Sequence, residues 1–333
     1  MPYLSATPIR LLLLTVLVLV LLGAALVQAQ EATVDPPAQI VIEQPGLYPE
    51  GIEYDAAHDR FLVGSLSQGG VFSVTDDGTL TPFVIDPDLL ASVGIHMDAA
   101  HNRLLVVSSD TRLFLDPTLP GFARLAAYDL ESGERLFMTD LAALTDGGPH
   151  VANDVTVDAD GNAYVTDTFA PIIYRVDPSG EASIFVEDER LAGQGGTPGL
   201  NGIDFHPDGF LLVPLMAQGL LYKVPVADPE ALTEVALDRP LYGADGVTLL
   251  DDGRLVVVGG QAGTVYEVAS DDGWATAVIE RKSTLPAGVV ATTAAVRDHI
   301  VYVVYAHLEA MMAGAPPPDA FEIVRTEFEP VLP

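Results

Sequence analysis

Four oxygen-bearing side chains, Glu50, Asn153, Asn201 and Asp245, each stand immediately before an alternating apolar stretch: Glu50-GIEYD, Asn153-DVTVD, Asn201-GIDFH and Asp245-GVTLL. Two carboxylates and two amide carbonyls form a donor set for a hard divalent cation, calcium first, with water completing six to eight oxygens. None of the four is histidine, and the chain has no cysteine, so zinc and the softer metals are disfavoured. Two carboxylates held close together would repel each other without a cation between them. Asn-Asp, Asn-Gly and Asp-Gly also begin ordinary turns, and that reading stands beside the first. Turn chemistry does not ask for Glu50 at the same offset. His150, three residues before Asn153, is a candidate base or substrate-orienting imidazole, or else a loop histidine exposed after Gly147-Gly148-Pro149.

Residues 195 positions apart meet only if a repeating architecture brings them together. Six segments share one grammar of short pair, alternating strand, polar turn and second apolar strand. Their corresponding positions are 51, 94, 154, 202, 246 and 293, a spacing of 43 to 60 residues that fits four-stranded propeller blades. Turns such as Asp158-Ala159-Asp160-Gly161 and Leu250-Asp251-Asp252-Gly253 end in Asp-Gly, where glycine takes a positive φ at little cost. Helical periodicity is weak after the N-terminal segment. The pattern predicts an all-β, six-bladed β-propeller over residues 30–333, a single domain whose inner strands start near the axis. The last unit lacks a fourth strand, and Gln39–Glu43 offers an unattached one. It is expected to close the last blade and remove a raw edge. Two longer inserts, 110–122 and 306–318, either cover one mouth of the channel or run over the surface.

The apolar run Leu11–Val27, followed by Val27-Gln28-Ala29, reads as a signal peptide over residues 1–29. An uncleaved anchor is the alternative, and either way the remainder is expected to be secreted, periplasmic or otherwise extracytoplasmic. No later segment is long and apolar enough to span a membrane. With 15 Lys and Arg against 47 Asp and Glu, a net charge of −32, nucleic acid and anionic membrane surfaces are excluded as partners. The charge suits a saline or acidic habitat equally well and specifies no function. A monomer is expected.

The stretches Pro49-Glu50-Gly51, Asn153-Asp154, Asn201-Gly202-Ile203 and Ala244-Asp245-Gly246, in that order, resemble the senescence-marker-protein/gluconolactonase/luciferin-regenerating-enzyme family over about residues 45–305. The resemblance implies a six-bladed propeller with a calcium-type ion at the floor of a pocket. It also implies Glu50, Asn153, Asn201 and Asp245 as the ion's ligands, and hydrolysis of lactones or phosphorus esters with Asp245 as general base or nucleophile. One departure is Val151, where gluconolactonase-like members often carry an arginine for a sugar hydroxyl or carboxylate; it turns the expected substrate toward a more apolar lactone or ester. A non-catalytic extracellular propeller of the NHL-repeat kind, binding a small ligand or a protein, is the competing reading. No Gly-x-Ser-x-Gly elbow is present, and the 192–199 stretch AGQGGTPG lacks the Lys and helix of a phosphate loop. His96 is expected to line the channel or make a buried hydrogen bond, and His58, His101 and His206 to face solvent at hairpins.

Overall fold

Short runs of Val, Leu, Ile and Tyr, cut by Asp-Gly and Asn-containing turns, can bury both faces only if sheets stack side by side. In the computed structural model, which describes residues 35–331 apart from 115, 117 and 120, they form six antiparallel sheets. The expected signal peptide, residues 1–29, lies outside the described residues. The innermost strands are Pro49–Asp55, Ser92–Asp98, Ala152–Val157, Asp204–His206, Val247–Leu249 and Ala291–Arg297, and the first three strands of each blade run outward in sequence order. The fold is a six-bladed β-propeller.

Closure comes from the N-terminal strand. Gln39–Ile42 pairs antiparallel with Phe321–Arg325, Ile40 opposite Ile323 and Ile42 opposite Phe321, as the outer strand of the sixth blade. Further contacts tie blade 6 to blade 1. Arg297, buried beneath Asp59 and Asp76, donates to both at 2.7 and 2.6 Å, and Tyr302 packs edge-on against Phe61 at 5.2 Å.

Blade 5 carries two additions absent from the sequence reading. Its long outer strand Thr276–Thr284 pairs in parallel with Ala236–Leu237 and antiparallel with Glu329–Pro330. The chain that completes blade 6 therefore returns to cover its neighbour's edge. The 306–318 insert holds one short α-helix, Leu308–Met312, whose Leu308 and Met311 pack on the main apolar cluster. Trp274 is buried in the cluster shared by blades 4 and 5.

Candidate functional site at the start of the inner strands

The dipeptides carrying the candidate ligands interrupt the ladder. Register shifts fall between Pro49 and Ile52, Ser92 and Ile95, Ala152 and Val155, and Ala291 and Ala294. Each is a β-bulge at the mouth of the channel, and a bulge re-aims the side chain it carries. In blades 4 and 5, Asn201 and Asp245 precede the strand altogether. The residue after the ligand position is glycine in four blades because adjacent blades touch there. A Cβ on Gly51 would lie 2.6 Å from the Val93 carbonyl oxygen, and one on Gly202 2.5 Å from that of Asp245.

Hydrogen bonds then lace the ring. Gly202 N donates to Asp245 O at 3.0 Å, Gly246 N to Thr292 O at 2.8 Å, and Thr292 Oγ1 to Glu50 O at 2.8 Å. Thr166 Oγ1 donates to Asn201 O at 2.5 Å, and Ser109 Oγ to Ala152 O at 2.6 Å. The four expected ligands stand in this laced ring, 4 to 8% exposed.

The orientation of the amides is informative. Asn153 Nδ2 donates to Thr168 Oγ1 at 2.9 Å, and Asn201 Nδ2 faces Met216 Sδ at 3.5 Å. The Asn153 nitrogen is thus turned back into the protein, whereas that of Asn201 lies between Met216 Sδ and the Asp245 carboxyl, to which it also donates. Among the described residues, no arginine, lysine or histidine is hydrogen-bonded or ion-paired with Glu50 or Asp245. Burial, then repulsion from Asp245 and Asp154, holds the Glu50 carboxyl well above the usual range. Burial and Asp154 push Asp245 up to about 8 against a hydrogen bond from Asn201. Buried carboxylates with no positive partner among the described residues, beside amide side chains, fit a hard cation. Among the described residues no group of three or more His, Cys, Asp or Glu forms a metal cage by itself, since half of this set is amide.

Asp154 is the residue the sequence reading passed over. It occupies the position held by Gly51, Gly94, Gly202 and Gly246 in other blades, and its Oδ1 would lie 2.4 Å from a Cβ on Gly94. Burial raises its carboxyl to about 7, opposed by the Val155 N–H and by His96. Asp where four repeats have Gly was the available signal. Deeper in the channel, His96 Nδ1 meets Glu53 Oε1 at 3.2 Å, and Asp204 accepts from Thr156 Oγ1, Phe205 N and Leu249 N. Burial opposes the His96 proton, but Glu53, then Asp204 and Asp154, carry its pKa to about 9. These groups line a cavity of about 690 Å³ at the hairpin end of the inner strands, below the ring.

His150 is neither exposed nor free. Its Nδ1 meets Asp167 Oδ2 at 2.8 Å and its Nε2 meets Thr145 Oγ1 at 2.8 Å. The hydrogen bond to Asp167 raises its pKa against burial. Asp167, fully buried, also accepts from Val151 N, Phe169 N, Ala170 N and the Tyr174 hydroxyl. This carboxylate organises both segments that flank Asn153. Val151 is fully buried, so no side chain reaches the mouth from that position. His58 and His101 are partly exposed, but His206 is not solvent-facing as expected: it stacks on Phe210 at 4.3 Å with 15% of its side chain exposed.

The six-bladed propeller is similar in fold to several solved structures. The Malassezia sympodialis allergen Mala s 1 superimposes with a TM-score of 0.72 at 20% identity, over 87% of this chain and 96% of the allergen. A calcium-binding protein, regucalcin, from Agrobacterium tumefaciens gives 0.57 at 19%, over 89% and 97%. A gluconolactonase from Xanthomonas campestris gives 0.57 at 15%, over 89% and 96%. At these identities the likeness is one of fold. No protein-family model and no curated protein matches the chain.

Proposed function

We propose that this chain is a divalent-cation-dependent hydrolase of lactones or related esters, with calcium as the ion and Glu50, Asn153, Asn201 and Asp245 as its ligands. The observation that carries the proposal is the ring itself: two buried carboxylates that, among the described residues, have no cationic partner, brought together with two buried amide side chains. The names of the regucalcin and gluconolactonase neighbours support the same reading. When bound, the ion would supply Lewis acidity toward a substrate carbonyl or phosphoryl oxygen.

Asp245 takes the proton of the attacking water at its free carboxylate oxygen, the role implied for the Ala244-Asp245-Gly246 segment. Backbone hydrogen bonds on both sides, from Asp245 N to Val258 O at 2.8 Å and from Gly202 N to Asp245 O, fix its position. His150, anchored through Asp167, holds the loop that enters Asn153. Its direct use as a base would require Thr145 to let go.

A panel of lactones, carboxylic esters and phosphotriesters, turned over with calcium and then with chelator, tests the proposal. Asp245→Ala is expected to lower the rate on the best substrate by about 10²–10⁴-fold. Hydrolysis at the wild-type rate by that variant would sink the mechanism. The double occupancy of His150 favours one second reading, a non-catalytic propeller that binds a small ligand or a protein. Calcium binding by calorimetry with no turnover across the panel would establish it.

A further inference from the structure

Loops at the ligand end of the inner strands set side chains around the mouth, and those of blades 2 to 5 include several apolar ones. Phe169 follows Thr168, the partner of Asn153, and its ring packs at 5.3 Å on Phe114, which is 40% exposed. Met216 touches the Asn201 amide, and its carbonyl accepts from Gly243 N, next to Tyr242, which is 56% exposed. Two amide ligands are thus each one contact away from an aromatic or thioether surface.

Charge at this end points the same way. Arg112, Arg190 and Arg239, in loops on this side, are each tied to a carboxylate one or two residues off: Asp110 at 2.5 Å, Asp188 at 2.6 Å and Asp238 at 3.0 Å. Within a chain of net charge −32, an anionic substrate meets repulsion, and these guanidinium groups are already spoken for. An uncharged substrate with an apolar arm meets a surface that it can desolvate.

Resting on the hydrolase reading above, we infer that Phe114, Phe169, Met216 and Tyr242 form the wall that receives the alkyl or aryl arm of an uncharged lactone or ester, and so set its substrate class. A sugar lactone, hydroxylated all round, would leave this wall to water. A lactone bearing a chain of several carbons would bury it.

The test uses the full chain loaded with calcium and two series of compounds. The first is 2-alkylcyclopentanones, which keep a ring and a carbonyl but have no ester bond, titrated by calorimetry. The second is γ-lactones of increasing chain length, followed by turnover. Affinity and kcat/KM are expected to rise by up to about fourfold for each methylene buried. The double variant Phe114→Ser with Phe169→Ser, both rings outside the buried core, should flatten that slope while calorimetric calcium binding and the melting temperature stay as they were. A slope absent from both series, or one untouched by the double variant, would overturn the assignment of the wall. Chain-dependent ketone binding with no lactone or ester hydrolysed would remove the hydrolase reading and leave the wall standing. Hydrolysis indifferent to chain length would do the reverse.

Discussion

The two ends of the inner strands carry the same residue types in opposite electrostatic settings. At the hairpin end of blades 1 and 2, the repeated sequences Asp55-AAHDR and Asp98-AAHNR give each buried carboxylate its own histidine and arginine partners. Asp55 takes His58 at 2.7 Å and Arg60 at 2.9 Å; Asp98 takes His101 at 2.9 Å and Arg103 at 2.8 Å. Burial raises these carboxyls, but the hydrogen bonds outweigh it and both end below the ordinary value. At the mouth, Glu50 and Asp245 have no histidine or arginine partner among the described residues and are driven upward. A buried carboxylate that the chain provides for is structural. One without such a partner, beside amide side chains, is the kind of group that a bound cation would satisfy.

This contrast can be broken most sharply at Asp98. Replacing it with alanine strands the Arg103 guanidinium, whose side chain is 4% exposed, and should cost about 3–5 kcal/mol in urea unfolding. A loss below 1 kcal/mol would mean that the hairpin pairs are not what distinguishes the two ends. At the mouth the sign reverses. Glu50→Gln removes a repelling charge, so in chelator the variant should be at least as stable as the wild type. Calcium at one hundred times its Kd should stabilise the wild type by about 2.7 kcal/mol and the variant far less. Equal calcium-induced shifts in melting temperature would contradict the assignment of Glu50.

The smallest effect is on the acid limb. The folded-state pKa of Asp98 lies below its unfolded value, so its stabilisation is complete above about pH 4 and fades as pH falls through the folded value. Asp98→Asn should therefore show a shallower loss of stability below pH 4, by at most one proton, or about 1.4 kcal/mol per pH unit. Identical acid limbs in the two proteins would show that Asp98 is not held low.

Much of this was legible in the sequence, for a physical reason. A propeller repeats one solution to packing, so Asp-Gly turns, alternating strands and the residue before each inner strand recur at a common offset. The unattached strand at Gln39–Glu43 was legible because the sixth unit was one strand short. What stayed hidden depends on contacts between repeats. Nothing near His150 in the chain announces that Asp167 and Thr145 will take both its nitrogens. His206 sits in a polar turn, and only the fold lays it on Phe210. Asp154 was hidden differently, because Asn-Asp reads as a turn until the glycines of the other blades show how little room there is.

The bulges at the start of the inner strands have a consequence for how such a ring can change. Because the irregular dipeptide absorbs the change of direction, the alternation beneath it continues undisturbed from Ile52, Ile95, Val155 and Ala294 onward. Val93 and Thr292 occupy the same station without contributing a carboxylate or amide, which makes them places where coordination chemistry could be rewritten one side chain at a time while the scaffold below stays silent.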